Sequence, residues 1–463
     1  MGFDSLATGI RPFSGVRSDM AYLPYTWRIV EARLCLEEGW MEGDLWVKEG
    51  RIAAIGRLPR HAYGPIYQAK GAYLLPGLID THVHFREPGF PHKGTFYTES
   101  RAAVASGVTT TFDMPNTMPS TTTLQRWYEK KTCIAPHAWT NYALYFGATH
   151  ENLSEIVRLS PREVPGVKVF LASSTGDLLV TEEKVVRALF ERSPVRLVFH
   201  SEVEALIQEA MRAYQGKDWQ DYPDLHARVR PPEACIESTR WLLDMSRSYE
   251  VSIHLLHIST REEVTLLQQA PPHVSAETCP AYLAWNATDF ARYQNLLKCN
   301  PALKGPEHQQ ALWRGIREGI FGTVGTDHAP HTLAEKQLPY WQAPAGIPTH
   351  PYLLPWLYTM GVAQEVSLRR WIELLAWGPA KLWNIQARGF LREGYWADLV
   401  LFDPEGETVV SNGFLSLNKC GWHPLRGQTL RGRVVSTWVN GHLTYDGFYF
   451  LGAPAGQAVV FEK

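Results

Sequence analysis

Residues 75–89 read LPGLIDTHVHFREPG, an apolar run that passes into alternating polar residues. The apolar part is typical of a buried β-strand, and the polar residues mark its carboxyl end. Because strand side chains alternate between two faces, His82, His84 and Arg86 share one face. Two neutral imidazoles so spaced can hold the same metal ion. A single histidine is more often a satisfied core residue, but the pair favours a metal site.

Seven further apolar segments follow and alternate with amphipathic helical sequence, which predicts a parallel sheet with helices outside. Eight strands close a (β/α)8 TIM-like barrel, so we predict an α/β fold of that type. An open doubly wound sheet would be expected to have a glycine-rich, nucleotide-binding loop after the first strand, and the sequence has none there. The predicted strands are LPGLIDTHVHF, GVTTTFDM, TNYALYFGA, GVKVFLA, VRLVFHSE, VSIHLLHIS, VSAETCPAYL and GTVGTDHAP.

Ionisable residues fall at the ends of later predicted strands: His200 ends the fifth, His257 the sixth and Asp327 the eighth. His254 precedes His257 by three residues and so lies on the opposite strand face, where a structural role is expected. The carboxyl ends of barrel strands meet at one face, where catalytic groups cluster.

Lys168 lies inside the fourth predicted strand, where burial of a bare ammonium would be costly. A lysine that reaches solvent or pairs with a carboxylate is the simpler interpretation of its position. The alternative is a lowered pKa followed by carbamylation, which makes a carboxylate able to bridge two cations. Four histidines, this lysine and one aspartate at the strand ends together predict two metal ions, about 3.5–4 Å apart.

Both ends of the chain are rich in short β segments, as in residues 27–73 and again in GYWADLVLFDP and GRVVSTWVNGHLTYDG. We therefore predict a small β-sandwich built from both termini. We predict that the chain is divided into four units: an N-terminal extension at 1–25, the sandwich at 26–74 and 386–445, the hydrolase barrel at 75–385, and a C-terminal tail at 446–463.

The composition suits an enzyme that acts on small molecules. At 463 residues with 45% hydrophobic side chains, the chain can form a large barrel and a smaller unit. Its 45 basic and 47 acidic residues give a net charge of −2, so we expect no nucleic-acid or membrane partner. The six scattered cysteines form no CxxC pair and are expected to be reduced. No signal peptide or membrane span is evident, which predicts a cytoplasmic protein.

DTHVHFREPG followed by DMPNT at 113–117 resembles the dihydroorotase family of the amidohydrolase superfamily. GVKVFLASSTG, HSE, HIST, KCNPALK and GTDHAPH continue the resemblance in family order, from about residue 26 to 445. The family implies a barrel with an attached β-sandwich, usually with two zinc ions. It also implies a metal-dependent cyclic amidohydrolase, which interconverts N-carbamoyl-L-aspartate and L-dihydroorotate in pyrimidine biosynthesis through a hydroxide shared by the two metal ions.

The resemblance also implies roles for individual residues. One metal ion would be held by His82, His84 and Asp327, the second by His200 and His257, and a carbamylated Lys168 would bridge them. Asp327 would also be the catalytic proton carrier. The residues implied as substrate contacts are Arg86, Asn116 and His331 for the α-carboxylate and Asn300 for the pyrimidine edge. A planar guanidinium suits the bidentate recognition of a carboxylate.

One departure concerns the seventh strand, which reads ETCPAYL at 277–283. Dihydroorotases commonly carry a His-His pair in this stretch and allantoinases a Cys-Pro-His-Tyr-Leu string, so Ala281 replaces a histidine in either pattern. An allantoinase or hydantoinase-like enzyme is therefore the nearest alternative, although such enzymes usually lack an arginine at position 86.

A non-catalytic, dihydroorotase-like partner of a transcarbamoylase is a second alternative. Such proteins typically lose metal ligands, whereas all six candidates stand here. The 17 tryptophans leave apolar material for a homo-oligomer interface, but the oligomeric state stays open. The metal also stays open, since ligands of mixed nitrogen and oxygen type admit cobalt or manganese as well as zinc.

Overall fold

The segments predicted as barrel strands pair in parallel and in chain order. The computed structural model describes residues 27–56, 64–173 and 178–462. Its barrel strands 1 to 8, with the third in two pieces, are Leu78–Val83, Val108–Asp113, Asn141–Leu144 with Phe146–Gly147, Val167–Phe170, Leu197–His200, Ile253–Leu255, Val274–Thr278 and Thr323–Val324. A parallel bridge between Val83 and His328 joins strand 1 to the end of strand 8 and closes the ring. The predicted (β/α)8 barrel is confirmed.

The barrel strands are buried on both faces, as parallel strands covered by helices must be. This burial explains why they read as continuous apolar runs. Strand 4 pairs with strand 5 in the register Lys168 with Val198 and Phe170 with His200. Strand 5 continues the register to strand 6, where Phe199 lies opposite Leu255. The carboxyl ends of strands 4, 5 and 6 are therefore level, and the residues that follow them face the same region.

Strand 7 is shorter than the sequence predicted. The segment 279–283 was expected to be strand, but Pro280–Ala284 forms a helix. Pro280 stands at the first helical position, where its fixed φ and missing N–H cost nothing. Strand 7 thus ends at Thr278, and Glu277 is its last residue but one.

Helices lie outside the barrel and in the loops that follow its strands. Thr260 begins the helix after strand 6 with a capping box, in which Thr260 and Glu263 satisfy each other's backbone N–H groups. The helices are Phe96–Ala105, Leu124–Ile134, Leu153–Ile156, Glu183–Arg192, Glu204–Ala213, Leu225–Val229, Pro232–Tyr249, Arg261–Leu267, Pro280–Ala284, Phe290–Tyr293, Pro306–Glu318, Leu333–Lys336, Leu353–Ala363, Leu368–Ile372, Gly378–Leu382 and Asn412–Leu415. Short 3₁₀ turns occupy Ala135–His137, Ala287–Asp289 and Gln294–Leu297, and a π-helical turn occupies Glu373–Trp377.

Both chain ends contribute to one eight-stranded sheet, which confirms that the small β domain is built from both termini. Tyr73–Pro76 pairs antiparallel with Leu399–Val409 and so joins the N-terminal strands to the C-terminal ones. The strands are Trp27–Leu36, Gly39–Lys48, Arg51–Gly56, Ile66–Gln68, Tyr73–Pro76, Leu399–Val409, Thr429–Val439 and His442–Tyr445. Their apolar faces form a core separate from that of the barrel, with Ile29, Leu34 and Trp438 fully buried in it.

The end of the chain returns to the barrel. Ala458 bridges Tyr142 of strand 3, and the Phe461 ring lies 5.7 Å from that of Phe112 in strand 2. The predicted extension at 1–25 lies outside the described residues. All six cysteines are free. Within the described ranges, no helix is both long and apolar enough to cross a membrane.

Candidate metal centre

His82, His84 and Asp327 meet where strands 1 and 8 end. Asp327 Oδ1 lies 3.2 Å from Nε2 of His82 and 3.0 Å from Nε2 of His84. Potential ligand atoms of the three residues all lie within 4.8 Å of one another, close enough to hold one cation. The bridge between Val83 and His328 accounts for this meeting, because it fixes the two strand ends side by side.

A second group lies beside the first. This second group consists of His200, His257 and Lys168. The ring centroid of His257 lies 4.6 Å from that of His200 and 5.5 Å from that of His82, so His257 is the member that lies next to the first group. Lys168 is fully buried, with Nζ 4.3 Å from the centroid of the Phe170 ring. The structure thus gathers the predicted ligands at the carboxyl end of one barrel.

Two buried nitrogens of this group, Nζ of Lys168 and Nδ1 of His257, have no hydrogen-bond partner among the residues that the structure describes. Buried polar groups are rarely left so, because desolvation without compensation is costly. Burial lowers the pKa of Lys168 to about 7, although Asp327 and Glu277 act in the opposite direction. A neutral amine can react with carbon dioxide. The unpaired nitrogens and the mixed nitrogen and oxygen donors therefore fit a site for divalent metal ions.

Three residues of the site have positive φ, namely Arg86 at 70°, His257 at 40° and Asp327 at 48°. Residues other than glycine adopt this left-handed conformation at a cost, and such residues cluster at functional sites. Each of the three lies just beyond the end of a barrel strand. The backbone there turns out of the strand, which directs these side chains over the barrel mouth.

The ligand histidines are oriented by polar partners on their outer sides. Glu277 lies 2.5 Å from Nδ1 of His82, and Asn116 Oδ1 lies 2.8 Å from Nδ1 of His84. In both rings the other nitrogen, Nε2, is the one that approaches Asp327. Such partners fix the tautomer and the direction of a metal-binding imidazole.

His200 is oriented the other way round. Its Nε2 donates to Glu202 over 2.7 Å, which leaves Nδ1 as the potential ligand. Arg230 donates to the same carboxylate and is itself buried. Burial acts to raise the pKa of Glu202, but Arg230 and His200 outweigh it and hold that pKa well below its ordinary value. Sequence reasoning missed Glu202 and Arg230, and only the HSE string pointed toward the first.

Glu277 was also missed as a functional residue. It is fully buried at the end of strand 7 and also lies 3.3 Å from Nε2 of His254. Burial opposes its charge, but His82 and His254 outweigh burial and lower the pKa of Glu277 to about 2. In turn Asp327 and Glu277 raise the pKa of His82 to about 9 against the effect of burial. A carboxylate as the single charged residue of strand 7 was the available signal.

The predicted substrate contacts fall into two places. Arg86 Nε donates to the Pro330 carbonyl over 2.9 Å, and Nη2 lies 2.9 Å from Nε2 of His331. Burial lowers the pKa of Arg86 to about 10, so it stays cationic near neutral pH. Asn116 holds His84, as described. Asn300 stands apart from these, with Oδ1 3.2 Å from Nε2 of His226.

The amidohydrolase family matches residues 73–444 of the chain, which include the barrel and the returning strands. This chain belongs to the amidohydrolase family. A dihydroorotase of Methanosarcina acetivorans is 31% identical to this amidohydrolase over 415 residues, which cover 86% of this chain and 88% of the relative. A dihydroorotase of Methanothermobacter thermautotrophicus is 32% identical, with 88% of this chain and 93% of the relative covered. The resemblance found in the sequence is confirmed.

Other similar proteins act on different rings. An allantoinase of Bacillus velezensis is 30% identical, with 90% of this chain and 94% of the relative covered. The L-hydantoinase from Arthrobacter aurescens has a solved structure that superposes with a TM-score of 0.88 at 28% identity, over 94% of this chain and 100% of that one. The solved structure of the dihydropyrimidinase from Brevibacillus agri superposes with a TM-score of 0.84 at 23% identity, over 95% of this chain and 100% of that one. This similarity supports the fold.

Proposed function

We propose that this amidohydrolase is a dihydroorotase, which interconverts N-carbamoyl-L-aspartate and L-dihydroorotate. The observation that carries the proposal is the buried guanidinium of Arg86. It follows His84 by two residues on the same strand end and interacts electrostatically with Asp327. A buried cation beside the reaction centre suits a substrate that carries a carboxylate, which allantoin and hydantoin lack.

The surroundings of Arg86 support an anionic substrate. Lys93 Nζ lies 3.1 Å from Nδ1 of His331, on the side of that ring away from Arg86. Burial lowers the pKa of Lys93, and the charge of Arg86 lowers it further despite the Glu335 carboxylate. Lys93 is paired with Glu335 over 3.0 Å, so the buried guanidinium of Arg86 is the cation that a substrate carboxylate would pair with.

The proposed metal ligands are His82, His84, Asp327, His200, His257 and a carbamylated Lys168. Two divalent ions at these residues, zinc by family expectation, would supply a hydroxide nucleophile at neutral pH and polarise the scissile carbonyl. Nζ of Lys168 has no partner within the described ranges, which supports the carbamate, because a carboxylate there could bind the metal ions. The proposal further takes the enzyme to be cytoplasmic.

The chain's own residues would do the rest of the chemistry. Arg86 and His331 bind the α-carboxylate and orient the ring. Asp327 accepts the proton of the attacking hydroxide and delivers it to the ring nitrogen as the C–N bond breaks. Asp327 is half-buried beside His82 and His84, and its pKa lies well below its ordinary value because both histidines outweigh the effect of burial. It is therefore ionised and ready to accept a proton at neutral pH.

Allantoinase activity is the rival, favoured by the Cys-Pro-Ala-Tyr-Leu segment at 279–283. Cys279 lies within 4.8 Å of His82 and Glu277, judged by their potential ligand atoms, and Ala281 is buried in the helix that follows. In the deciding experiment, the purified enzyme is assayed side by side with dihydroorotate, allantoin and dihydrouracil as substrates. Metal content is measured on the same sample. We expect ring opening of dihydroorotate at the highest kcat/KM. Preference for either other ring would overturn the proposal, and a folded protein without metal and without activity would favour a non-catalytic partner.

A further inference from the structure

A buried histidine outside the metal centre joins three loops that follow barrel strands. His226 lies in the helix Leu225–Val229 after strand 5, and Asn300 and Tyr340 lie in the loops after strands 7 and 8. Loops that follow the strands of such a barrel lie at its catalytic face. His226 is 2% exposed, so its contacts are with protein. Its Nδ1 lies 3.0 Å from the Tyr340 hydroxyl, and its Nε2 lies 2.8 Å from the Cys299 carbonyl and 3.2 Å from Asn300 Oδ1.

The hydrogen-bond roles in this cluster follow from chemistry. The Cys299 carbonyl can only accept, so Nε2 of His226 carries the hydrogen. A neutral imidazole then accepts at Nδ1, and the Tyr340 hydroxyl is the donor. Burial and the charges of Lys298 and Arg230 hold the pKa of His226 well below its ordinary value, which agrees with the neutral form. The shared Nε2 hydrogen therefore also faces Oδ1 of Asn300.

The consequence is a fixed direction for the Asn300 side chain. Because Oδ1 accepts from His226, the amide NH2 must point the other way. That NH2 makes no hydrogen bond to any residue of the described ranges. A side-chain amide held by its oxygen, with its donors free, is prepared to bind an acceptor.

We propose that His226 is a positioning residue that turns the Asn300 amide so that its NH2 donates to a ring carbonyl of the substrate. The inference rests on the proposed function only in taking Asn300 as a substrate contact. Any cyclic amide with a carbonyl on that edge would use the same donor. Without His226 the amide could rotate, and an oxygen facing the substrate carbonyl would repel it.

The same short segment also serves the metal centre, which provides a control. The backbone N–H of Arg230 donates to the His226 carbonyl over 3.0 Å, and the Arg230 side chain holds Glu202. A substitution that merely disturbed this helix would release Glu202 and His200 and reduce metal content. A loss of positioning would raise KM and leave the metal in place.

The test compares His226→Leu, His226→Gln, Asn300→Ala and the double variant His226→Leu/Asn300→Ala. All are assayed with whichever cyclic amide the wild-type enzyme opens fastest, so failure of the dihydroorotase assignment does not decide the outcome. We expect His226→Leu to raise KM about tenfold, the size of one hydrogen bond, with kcat within about threefold. Glutamine can donate from nearly the position of Nε2, so His226→Gln should recover most of the loss.

The double variant decides whether the histidine acts through the asparagine. We expect it to be no worse than Asn300→Ala, because the two residues form one unit. Tyr340→Phe, which removes only the hydroxyl, should raise KM in the same direction by a smaller factor. His308→Leu, a change at a buried histidine of the helix Pro306–Glu318, should leave KM unchanged.

If the increases in KM caused by His226→Leu and Asn300→Ala multiplied in the double variant, the proposal would be overturned. An unchanged KM in His226→Leu would also overturn it, as would a fall in its metal content together with kcat. If His226→Leu does not fold, Tyr340→Phe and His226→Gln carry the test, and an unchanged KM in Tyr340→Phe would then overturn it.

Discussion

The Glu277 carboxylate lies 2.5 Å from Nδ1 of His82, while Nε2 of the same ring lies 3.2 Å from Asp327. His82 therefore stands between two carboxylates, one behind it in strand 7 and one beside it at the metal centre. The pKa values of both carboxylates lie below their ordinary range, because their interactions with the neighbouring histidines outweigh the effect of burial. The outer carboxylate directs Nε2 toward the metal position and makes the ring a stronger ligand.

Replacement of Glu277 by glutamine should weaken metal binding by about 10–100-fold, the usual effect of losing such a partner. The amide keeps the shape of the side chain and removes the charge that orients the His82 ring. Competition with a chromogenic chelator measures the affinity. Glu263→Gln is the matched control, since this buried carboxylate caps a helix and touches no proposed ligand. Equal affinities in Glu277→Gln and the wild type would contradict the role.

Replacement of Asp327 by asparagine should leave metal bound and lower kcat by at least about 100-fold, the lower end of what general acid–base catalysis contributes. Asparagine retains an oxygen that can bind a cation, but it cannot accept and return a proton. Metal analysis and steady-state kinetics on the same preparation separate the two effects. A variant with wild-type turnover would remove Asp327 from the proton-transfer step.

Replacement of Arg86 by leucine should raise KM for dihydroorotate by about 10–100-fold, the value of a lost charge-assisted contact. KM for dihydrouracil, which has no carboxylate, should rise little. Arg86→Lys should be intermediate, because an ammonium keeps the charge without the planar pair of donors. The measurement is kcat/KM for both substrates in each variant. An equal loss for both substrates would show that Arg86 supports the fold of the site instead of selecting a carboxylate.

Acid pH should destabilise the fold through His423. Burial lowers the pKa of His423 to about 3, and Nδ1 accepts the Leu425 N–H over 3.1 Å. Below the ordinary histidine pKa of about 6.5, this histidine is protonated in the unfolded chain but stays neutral in the folded one. The free energy of unfolding therefore falls as pH falls, by up to about 1.4 kcal/mol per pH unit. His423→Asn keeps an acceptor and removes the titration. Its thermal midpoint should fall less than that of the wild type between pH 7.5 and pH 5; parallel falls would contradict the assignment.

Much of this architecture could be predicted because the local signals agreed. The apolar runs of the barrel strands are buried on both faces, and the residues after them necessarily meet at one end. The pairing of His82 with His84 followed from the two-residue period of a strand. The end of strand 7 could not be predicted, since Cys279 to Leu283 is apolar enough for either a strand or a short helix, and Pro280 decided it.

The outer partners of the ligands were harder to predict. Glu277 reaches His82 from another strand, and Arg230 reaches Glu202 from a later loop, at sequence separations that no local period connects. Glu202 lies only two residues after His200, but the sequence does not show that Arg230 pairs with it. His226 reads as an ordinary residue of a short helix. Only the packing of three loops brings it against Asn300 and Tyr340.

The most direct measurement is the number of zinc ions bound per chain, titrated into metal-free protein in bicarbonate buffer while dihydroorotate hydrolysis is followed. Six converging ligands predict two ions per chain, with activity that appears as the sites fill. A folded chain that binds no zinc at these residues, or one fully active with none bound, would contradict the account.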